Sequence, residues 1–564
     1  MHILTNQRWP SIRRALFASS ASLFLCAWST AQTAPVVAEL ELADGQNGFV
    51  ASQPLESLGA GLSPIGDVDG DGTIDLAMSE VDNGNRGIVY VLFLNPDGTV
   101  RDQVEIGQGQ GGFGSSISSS ARFGDDIAEL GDLDGDGIPD LAVSASFEDD
   151  GGFDTGTVWI LFLNSDGTVK SEQKISNFGG GLPFPLDAGD HFGRALEGAG
   201  DFDGDGLVEL FVGAPGDDDG GSDRGAVYIL SLLSDGTVGS AAKISSTSGL
   251  FSGPLNNNGL FGTSVAFLGD LSGNGTAEIA VGQPFGALGG RAWILSLSFD
   301  LVVGQVIVDN QNGLVTQANS GAYLGEAVES LGDLNEDGIP DLAVAAPRQH
   351  DQLGTTEVGL VWLLYLNPDG SVLAEQVVGP DQGGFQASLQ RRAWFGTALA
   401  NLGDLAGTGD TRFVIGAPYE LLTSTAGSAH VVSLDFCPPA ASAVVRNAGT
   451  NPQSYSAAAP VLGDTWVATV DLATTGHTFA LIFGFSNPFQ FTLGGGQTLL
   501  AIDGTMSGEV LGFQPQAGPL ATFMVDVPPH PIYCGTNLYT QAIHYGGVTP
   551  FALSNAVDIE LGSE

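Results

Sequence analysis

The chain alternates short apolar runs with polar turns rich in glycine. Runs such as DLAVAAP at residues 341–347 and GTVWILFLN at residues 156–164 are bounded by Gly, Asp and Asn. Their length and their content of β-branched and aromatic residues predict β-strands. Asp-Gly pairs between two such runs predict tight hairpins, because type I′ turns need positive φ. They are Asp97-Gly98, Asp166-Gly167, Asp235-Gly236 and Asp369-Gly370.

One unit occurs six times along the chain. Each copy opens with an apolar or aromatic residue followed by glycine, as in Phe123-Gly124, and an acidic loop follows. Each copy has room for four antiparallel strands, which is the size of a propeller blade. The sixth copy lacks a fourth strand, and the segment that begins at Val36 resembles the ends of other copies. This segment is predicted to complete the last blade and close the ring. The acidic loops start at Asp67, Asp132, Asp201, Asp270, Asp333 and Asp404.

The Phe-Gly opening, the acidic loop and the Gly-Ala-Pro ending at residues 213–215 and 416–418 resemble FG-GAP repeats. These repeats build the β-propeller of integrin α chains. The resemblance covers residues 36–436 and implies an all-β fold, a six-bladed propeller closed by an N-terminal strand. Seven blades are the alternative, because integrin propellers have seven.

The acidic loops have the spacing of a calcium site. In the second copy, side-chain oxygens fall at positions 1, 3, 5 and 9, and a backbone carbonyl is available at position 7. Several anionic oxygen ligands favour Ca²⁺ over Mg²⁺. Without a cation, two carboxylates about 5 Å apart repel by roughly 3 kcal/mol at an effective dielectric constant of about 20. A helical EF-hand is excluded, because its position 12 needs an acid before a helix and Val143 stands there in an apolar run.

The copies differ in their predicted ligands. In the fourth copy the ligands carry about half the charge, which predicts a weak site. In the sixth copy Ala406 and Thr408 replace two ligands and Arg412 the last, which predicts a guanidinium–carboxylate pair instead of an ion. We expect four calcium ions, with the fourth copy as a weak fifth site. The complete sets are Asp67, Asp69, Asp71, Thr73 and Asp75; Asp132, Asp134, Asp136, Ile138 and Asp140; Asp201, Asp203, Asp205, Leu207 and Glu209; Asp333, Asn335, Asp337, Ile339 and Asp341. The weak set is Asp270, Ser272, Asn274 and Glu278.

The net charge of the chain bears on the class of partner that it can bind. The chain has 65 acidic and 17 basic residues and a net charge of −48, which excludes nucleic acid as a partner.

Residues 1–31 have a basic start, an apolar stretch Ala15–Trp28 and small residues at the end, which predicts a signal peptide. The stretch is too short for a membrane anchor. The Arg13-Arg14 pair leaves twin-arginine export open. We expect a secreted or cell-surface protein with no membrane span after cleavage.

The repeat stops before Pro438-Pro439. Residues 438–564 contain short apolar runs divided by Gly, Pro and Asn, which predict a small β-sandwich. This part resembles a tail domain found on many secreted bacterial proteins. In an oxidising compartment Cys437 and Cys534 are expected to form a disulfide, with two buried free thiols as the alternative.

Antiparallel strands place the acidic loops at one face and the variable loops at the other. The corresponding face binds ligand in integrins, so the resemblance implies a calcium-binding adhesion module for an extracellular protein or glycan. The alternative is that the cations and aromatic residues of these loops have no binding role. The candidate ligand residues are Arg348, Gln349, His350, Arg391, Arg392 and Tyr419.

Catalytic motifs are absent from the sequence. No histidine lies in an H-E-x-x-H pattern and no serine in G-x-S-x-G. We therefore expect no enzyme. An extracellular hydrolase acting on polysaccharide or phosphodiester stays open as the alternative, because a carboxylate pair can be hidden among so many acids.

Overall fold

A computed structural model describes residues 36–434, apart from internal gaps of at most six residues, and separate strands between residues 442 and 560. The chain divides into two compact units, one of residues 31–436 and one that contains residues 437–564. The predicted signal peptide and both cysteines lie outside the described residues. Within the part described, no helix has the length and apolar character needed to cross a membrane.

The first unit is built from β-strands that are mostly seven residues or shorter. In chain order they are β1 (Val36–Leu42), β2 (Leu58–Pro64), β3 (Leu76–Glu80), β4 (Ile88–Leu94), β5 (Val100–Ile106), β6 (Phe123–Gly131), β7 (Asp140–Ala145), β8 (Thr157–Leu163), β9 (Val169–Ile175), β10 (Ala195–Gly200), β11 (Val208–Ala214), β12 (Ala226–Leu232), β13 (Val238–Ile244), β14 (Val265–Gly269), β15 (Glu278–Gln283), β16 (Arg291–Ser296), β17 (Val303–Ile307), β18 (Val328–Gly332), β19 (Asp341–Ala346), β20 (Leu360–Leu366), β21 (Val372–Val378), β22 (Leu399–Gly403), β23 (Thr411–Leu422) and β24 (Thr425–Leu434).

These strands form a β-propeller. Strands β6–β9, β10–β13, β14–β17 and β18–β21 are four separate four-stranded blades, which we call sets 2, 3, 4 and 5. The expected number of six or seven separate blades is not observed. Strands β2–β5, here set 1, and β22–β24 with β1, here set 6, lie in one eight-stranded sheet. A single parallel bridge between Leu58 and Gly427 joins the two sets, and this bridge is the reason that they count as one sheet.

Strand β1 pairs antiparallel with β24, the pairing that the sequence predicts for the N-terminal strand. The register runs from Val36 opposite Leu434 to Leu42 opposite Ala429. Nδ1 of the buried His430 on β24 lies 3.1 Å from Oε1 of Glu39 on β1. Backbone pairing and this side-chain contact together tie the first described strand to the last of the unit.

The Asp-Gly turns differ from the predicted type I′ geometry. At residues 95–98, the Gly98 N–H donates to the Asn95 carbonyl at 2.8 Å, and Gly98 has φ of 85°. Asp97 is not among the residues with positive φ, so only the glycine is left-handed. A register shift follows between Phe93 and Leu94. This combination is a type I turn with a bulge, the usual alternative for a longer hairpin loop.

Apolar residues between consecutive sets form the core. In set 2, strand β8 reads TVWILFL and all seven residues are buried, because both faces of the strand meet a neighbouring sheet. One face, with Trp159 and Leu161, joins a cluster that includes Val89 and Val91 of set 1. The other face, with Ile160, joins a cluster with Leu210 and other residues of set 3. Sets 6 and 1 share a cluster of the same kind.

Glycine is required where one set meets the next. Gly156, just before β8, pairs in a parallel bridge with Phe192, and Gly225 pairs in the same way with Phe261. Gly156 has φ of +87°, and an added Cβ would lie 2.1 Å from the Phe192 carbonyl oxygen. A side chain is therefore excluded both by backbone conformation and by space. This contact explains why a glycine, Gly156 or Gly225, stands just before the third strand of sets 2 and 3.

The second unit is also built from strands. They are β25 (Ser442–Arg446), β26 (Tyr455–Ala457), β27 (Thr465–Asp471), β28 (Phe479–Phe485), β29 (Pro488–Thr492), β30 (Thr498–Ile502), β31 (Glu509–Pro515), β32 (Leu520–Asp526), β33 (Asn537–Tyr545) and β34 (Phe551–Glu560). They form sheets of five, three and two strands, in the orders β25-β34-β33-β28-β31, β26-β27-β32 and β29-β30.

Candidate metal loops and the central channel

The first, second and fifth acidic loops share one backbone conformation, which the first aspartate holds. In the second loop, Asp132 accepts hydrogen bonds from the Asp136 and Gly137 N–H groups, both at 2.8 Å. Asp67 and Asp333 accept the corresponding pairs in the first and fifth loops. Gly137 has φ of 90°, so the tight turn around the carboxylate needs glycine. The spacing of acids and glycines thus encodes a turn before any ion is considered.

The last acid of the loop serves the sheet. Asp140, which is 1% exposed, accepts the Leu133 N–H at 3.0 Å and the Leu163 N–H at 3.1 Å. It therefore links the loop to the third strand of its own set. Asp75 and Asp341 make the same two contacts in the first and fifth loops. Both oxygens of this side chain satisfy buried backbone donors, a role that the sequence analysis did not anticipate.

Burial raises the pKa of the last acid in each of four acidic loops. Burial raises the pKa of Asp75 to about 7, of Asp140 to about 6 and of Asp341 to about 8. Burial likewise raises the pKa of Glu209 to about 7, and the nearby Asp203 adds to the shift. A positive charge at the loop would favour the ionised form of each of these groups.

Among the described residues, carboxylate oxygens of the predicted ligands come together in three loops. Carboxylate oxygens of the first three acids lie within 4.8 Å of one another in the first and second loops. In the third loop the cluster is Asp201, Asp203 and Glu209, so the longer last side chain reaches the others. In the fifth loop Asn335 contacts Asp337 through its side-chain nitrogen at 3.2 Å.

The weak and altered loops keep parts of this arrangement. Asp270 accepts the Asn274 and Gly275 N–H groups at 2.9 and 2.7 Å, so the fourth loop keeps the turn with fewer charges. In the sixth loop residues 406–410 lie outside the described residues, and the predicted pair of Arg412 stays a prediction.

Two basic side chains lie on the acidic loops. The Arg101 Nη2 atom is 2.5 Å from Asp69 Oδ2 and 2.9 Å from Asp71 Oδ2. The Lys170 Nζ atom is 2.6 Å from Oδ2 of both Asp134 and Asp136. These contacts lower the pKa of Asp136, chiefly through the hydrogen bond from Lys170. Each ion pair joins the outer strand of a set to the acidic loop of the same set.

At the variable loops, aromatic rings surround one of the predicted ligand residues. The Arg348 guanidinium lies 4.3 Å from the ring centroids of both Tyr323 and Trp394, and it donates to the Tyr323 hydroxyl at 3.1 Å. Tyr419 packs edge-on against Trp394 at 4.5 Å. Tyr323 and Trp394 both have positive φ, which is uncommon for bulky residues. Arg348 and Tyr419 are thus brought together through Trp394.

The other predicted ligand residues have different surroundings. Gln349 is 7% exposed, and its side-chain oxygen accepts the Asn319 N–H at 2.8 Å, so it holds a loop in place. The Asn319 amide nitrogen lies 3.5 Å from His350 Nδ1. Arg391 is exposed, and Arg392, also exposed, lies 3.7 Å from Glu357. Within this group Arg391 and Arg392 are the most accessible cations.

A central channel runs along the first strands of all six sets. The cavity has a volume of about 300 Å³. Arg194 of set 3 spans to Glu326 of set 5 at 3.0 Å. Carboxylates from several sets also line the channel, namely Asp125, Asp126, Glu129, Glu197, Glu326 and Glu329.

The channel carboxylates hold neighbouring blades together. Asp126 accepts the Leu196 N–H at 2.7 Å, Glu197 the Phe267 N–H at 2.8 Å, and Glu329 the Asn401 N–H at 3.0 Å. Burial raises the pKa of Asp126 to about 7. Burial, with repulsion between neighbouring carboxylates, also raises the pKa of Glu197 and of Glu329.

Sequence reasoning missed this channel, although a signal was present. The segment FGDDIAELG places acids within an otherwise apolar strand that opens set 2. Glu197 and Glu329 stand in comparable strands, each five residues after the aromatic or aliphatic residue of the opening. Acids at these places are visible in the sequence, but their convergence needs the ring of strands.

The donor set of the acidic loops fits a hard divalent cation. The first, second, third and fifth loops offer carboxylate or amide oxygens at the expected positions, and position 7 supplies a backbone carbonyl. Oxygen ligands with several negative charges match Ca²⁺. The residues would hold the ion between the turn fixed by the first aspartate and the third strand reached by the last acid.

Comparisons with known proteins agree with this architecture. The FG-GAP repeat profile matches residues 127–161, 192–230 and 327–364, and an FG-GAP-like repeat profile matches residues 67–143. A β-propeller with acidic loops between its first two strands is the class of protein that the fold defines. The first unit is a β-propeller that contains FG-GAP repeats and is similar to integrin α chains.

Similar curated proteins are integrin α chains. The chain is 32% identical over 154 residues to integrin alpha-PS5 of Drosophila melanogaster, which covers 27% of this chain and 14% of that protein. It is 33% identical over 168 residues to human integrin alpha-E, which covers 28% of this chain and 13% of that protein. The chain therefore spans a small part of these relatives.

One solved structure aligns with most of the chain. It is described as Bacteroides ovatus Xyloglucan PUL GH43B, and the alignment covers 93% of this chain and 96% of that one. The sequence identity is 9% and the TM-score is 0.32. This level of similarity carries no inference about fold or activity.

Proposed function

We propose that this protein is a calcium-stabilised propeller that acts outside the cell as a binding or adhesion module for protein or glycan. Four loops bind Ca²⁺ in this proposal, and the fourth loop is a weak fifth site. The acidic loops stabilise the shape of the propeller, and the variable loops at the opposite face bind the partner. Ligand-face residues and metal residues therefore have separate roles.

The repeated geometry of the acidic loops carries the calcium proposal. The same turn and the same link to the third strand occur in the first, second and fifth loops, and clustered acids occur in three. Clustered carboxylates this close repel one another unless a cation neutralises them. A single acidic turn is common without metal, whereas a turn repeated with its ligand positions intact favours a shared ligand.

The melting temperature in calcium and in chelator tests the proposal. Each site saturated at about 100 times its dissociation constant adds about 2.7 kcal/mol, so several sites together raise the melting temperature by several degrees. Magnesium is expected to replace calcium poorly. The matched variants are Asp134→Asn in the second loop and Asp166→Asn in the nearby Asp-Gly turn, and only the first is expected to reduce the calcium effect. An identical melt in both buffers would refute calcium stabilisation.

The ring is proposed to contain six blades. Set 1 and set 6 each have four strands, and the bridge that joins them, Leu58 to Gly427, is of the same parallel kind as Gly156 to Phe192 between separate blades. Strand β1 then closes the ring as the fourth strand of set 6. In the same proposal residues 1–31 are a signal peptide, and residues 438–564 are a separate β-sandwich tail with a Cys437–Cys534 disulfide.

Partner binding is proposed at the variable loops. Arg391 and Arg392 are exposed there, in a chain with only 17 basic residues, so an acidic or hydroxyl-rich partner is favoured. Binding to a glycan array or to extracellular proteins is measured with the chain and with an Arg391→Ala/Arg392→Ala variant. The variant is expected to lose most of the binding. Unchanged binding would remove this part of the face from consideration.

The central channel favours a second candidate function, an extracellular hydrolase. Partly buried carboxylates with raised pKa values around a cavity are the groups that glycoside hydrolysis uses. Activity on polysaccharides and phosphodiesters is measured for the chain and for Glu197→Gln. Loss of activity in a variant that is at least as stable as the unaltered chain would support the hydrolase, and no activity on either substrate class would leave binding as the function.

A further inference from the structure

Arg101 and Lys170 occupy the same place in two successive sets. Each is the second residue of the fourth strand in its set. Arg101 follows Val100, which pairs with Leu94 across the hairpin. Lys170 follows Val169, which pairs with Leu163 in the same way. Those leucines are the ones whose N–H groups donate to the last acid of the loop. The register therefore delivers the basic side chain to the loop in both sets.

The same register position is uncharged in two other sets. Val238 pairs with Leu232 and is followed by Gly239, and Val372 pairs with Leu366 and is followed by Leu373. Leu373 is 47% exposed, which is unusual for a large apolar side chain in this unit. Sets 1 and 2 thus carry a basic side chain where sets 3 and 5 carry a neutral one.

The charge balance of the loops differs as a result. The second loop has four acidic ligands, and Lys170 places one positive charge 2.6 Å from two of them. The third loop also has four acidic ligands, but Gly239 adds no charge at the equivalent position. A fixed positive charge within a few ångströms of a divalent ion opposes binding of that ion and relieves repulsion among the acids when the ion is absent.

We infer that Arg101 and Lys170 are tethered counter-cations that lower the calcium affinity of the first and second loops and hold these loops together when calcium is scarce. The inference rests on the calcium sites proposed above. It assigns the four complete loops to two classes, with sets 1 and 2 less dependent on calcium than sets 3 and 5.

Removal of the tethered charges tests the inference. Calcium binding to Arg101→Gln/Lys170→Gln and to the unaltered chain is measured by competition with a chromophoric chelator. Two of the calcium association constants are expected to rise by about twofold to fivefold, the range for a partly exposed charge pair. The melting temperature of the variant in EDTA is expected to fall. Equal or weaker calcium binding by the variant, or an unchanged melt in EDTA, would overturn the inference.

Addition of the charge gives the opposite test. Leu373→Lys places an ammonium at the register position of set 5, where the exposed side chain is replaced without loss of core packing. One calcium association constant is expected to fall by about twofold to fivefold. Leu373→Gln is the neutral control and is expected to bind calcium as the unaltered chain does. A Leu373→Lys variant that binds as tightly as Leu373→Gln would contradict the inference.

The two proposals fail in different ways. If the unaltered chain binds no calcium in the competition assay, the calcium proposal and this inference are both overturned. If the unaltered chain binds calcium and the variants do not shift the constants in opposite directions, only the tethered counter-cations are rejected.

Discussion

Carboxylates gather in two regions of the propeller, and the two regions neutralise them differently. In the acidic loops, the first three acids of a loop are exposed or partly exposed, and their oxygens lie within 4.8 Å of one another in two loops. In the central channel, Asp126, Glu197 and Glu329 are enclosed, and each accepts an N–H from the next blade. The carboxylate oxygens of the loops are close enough together to share an ion. In the channel, burial raises the pKa of the acids and favours their protonated form.

This difference shows that position in the blade decides what an acid does. At the hairpin end, glycines let the chain wrap around several carboxylates, and Arg101 and Lys170 supply part of the counter-charge. Along the first strands, the low dielectric of the ring opposes ionisation, and each carboxyl group accepts an N–H from the neighbouring strand. Calcium should therefore act on the loops, and pH should act on both regions.

The largest effect is expected from the acid that links loop and sheet. Asp341→Ala leaves the Leu334 and Leu366 N–H groups without their acceptor, which destabilises the fold by about 2–4 kcal/mol in chelator. The loss is expected to be larger in calcium, because Asp341 is also a proposed calcium ligand. Asp337→Ala, in the exposed part of the same loop, is expected to matter mainly in calcium. Urea unfolding of both variants measures the difference. A small loss for Asp341→Ala would show that the last acid has no structural role.

A smaller effect is expected from pH in the absence of calcium. The last acids of the loops have raised pKa values, between about 6 and about 8, so the folded state binds more protons than the unfolded state above about pH 4. Stability in chelator should therefore fall as pH rises from about 5 to about 8, by about 2–3 kcal/mol.

Calcium should flatten this pH dependence, because a bound cation keeps the loop acids ionised. Urea midpoints at both pH values, with calcium and with EDTA, measure the change in slope. A slope that is the same in both buffers would assign the pH dependence to the channel alone.

The smallest effect is expected from a single channel acid. Glu197→Gln keeps an oxygen that accepts the Phe267 N–H and removes a group whose burial opposes ionisation. The variant should be more stable than the unaltered chain by about 1–3 kcal/mol at pH 8 and by less at pH 5. Destabilisation at pH 8 would mean that the ionised carboxylate is favoured in the channel, contrary to the raised pKa of Glu197.

Much of the propeller could be predicted from local pattern. Period and spacing predict the four-stranded units, the Phe-Gly opening and the acidic loops, because these depend on residues close in sequence. The turn at Asp97-Gly98 was predicted at the right place with the wrong geometry, since the bulge at Leu94 depends on pairing across the hairpin. The joining of sets 1 and 6 in one sheet also depends on contacts between distant residues.

The parts that sequence reasoning missed depend on side chains that meet across elements. Lys170 lies 34 residues from Asp136, and only the strand register brings them together. Arg194 meets Glu326 across the channel, 132 residues along the chain. Gln349, a predicted ligand residue, is buried, and its side chain accepts the Asn319 N–H. The residues next to Gln349 in the sequence give no sign of this contact.

The calcium content of the purified protein tests the central claim most directly. After equilibrium dialysis against millimolar calcium, metal analysis is expected to find four bound ions per chain, one for each complete loop, and fewer after Asp134→Asn. Retention of no calcium by a folded protein would contradict the claim that divalent ions neutralise the acidic loops.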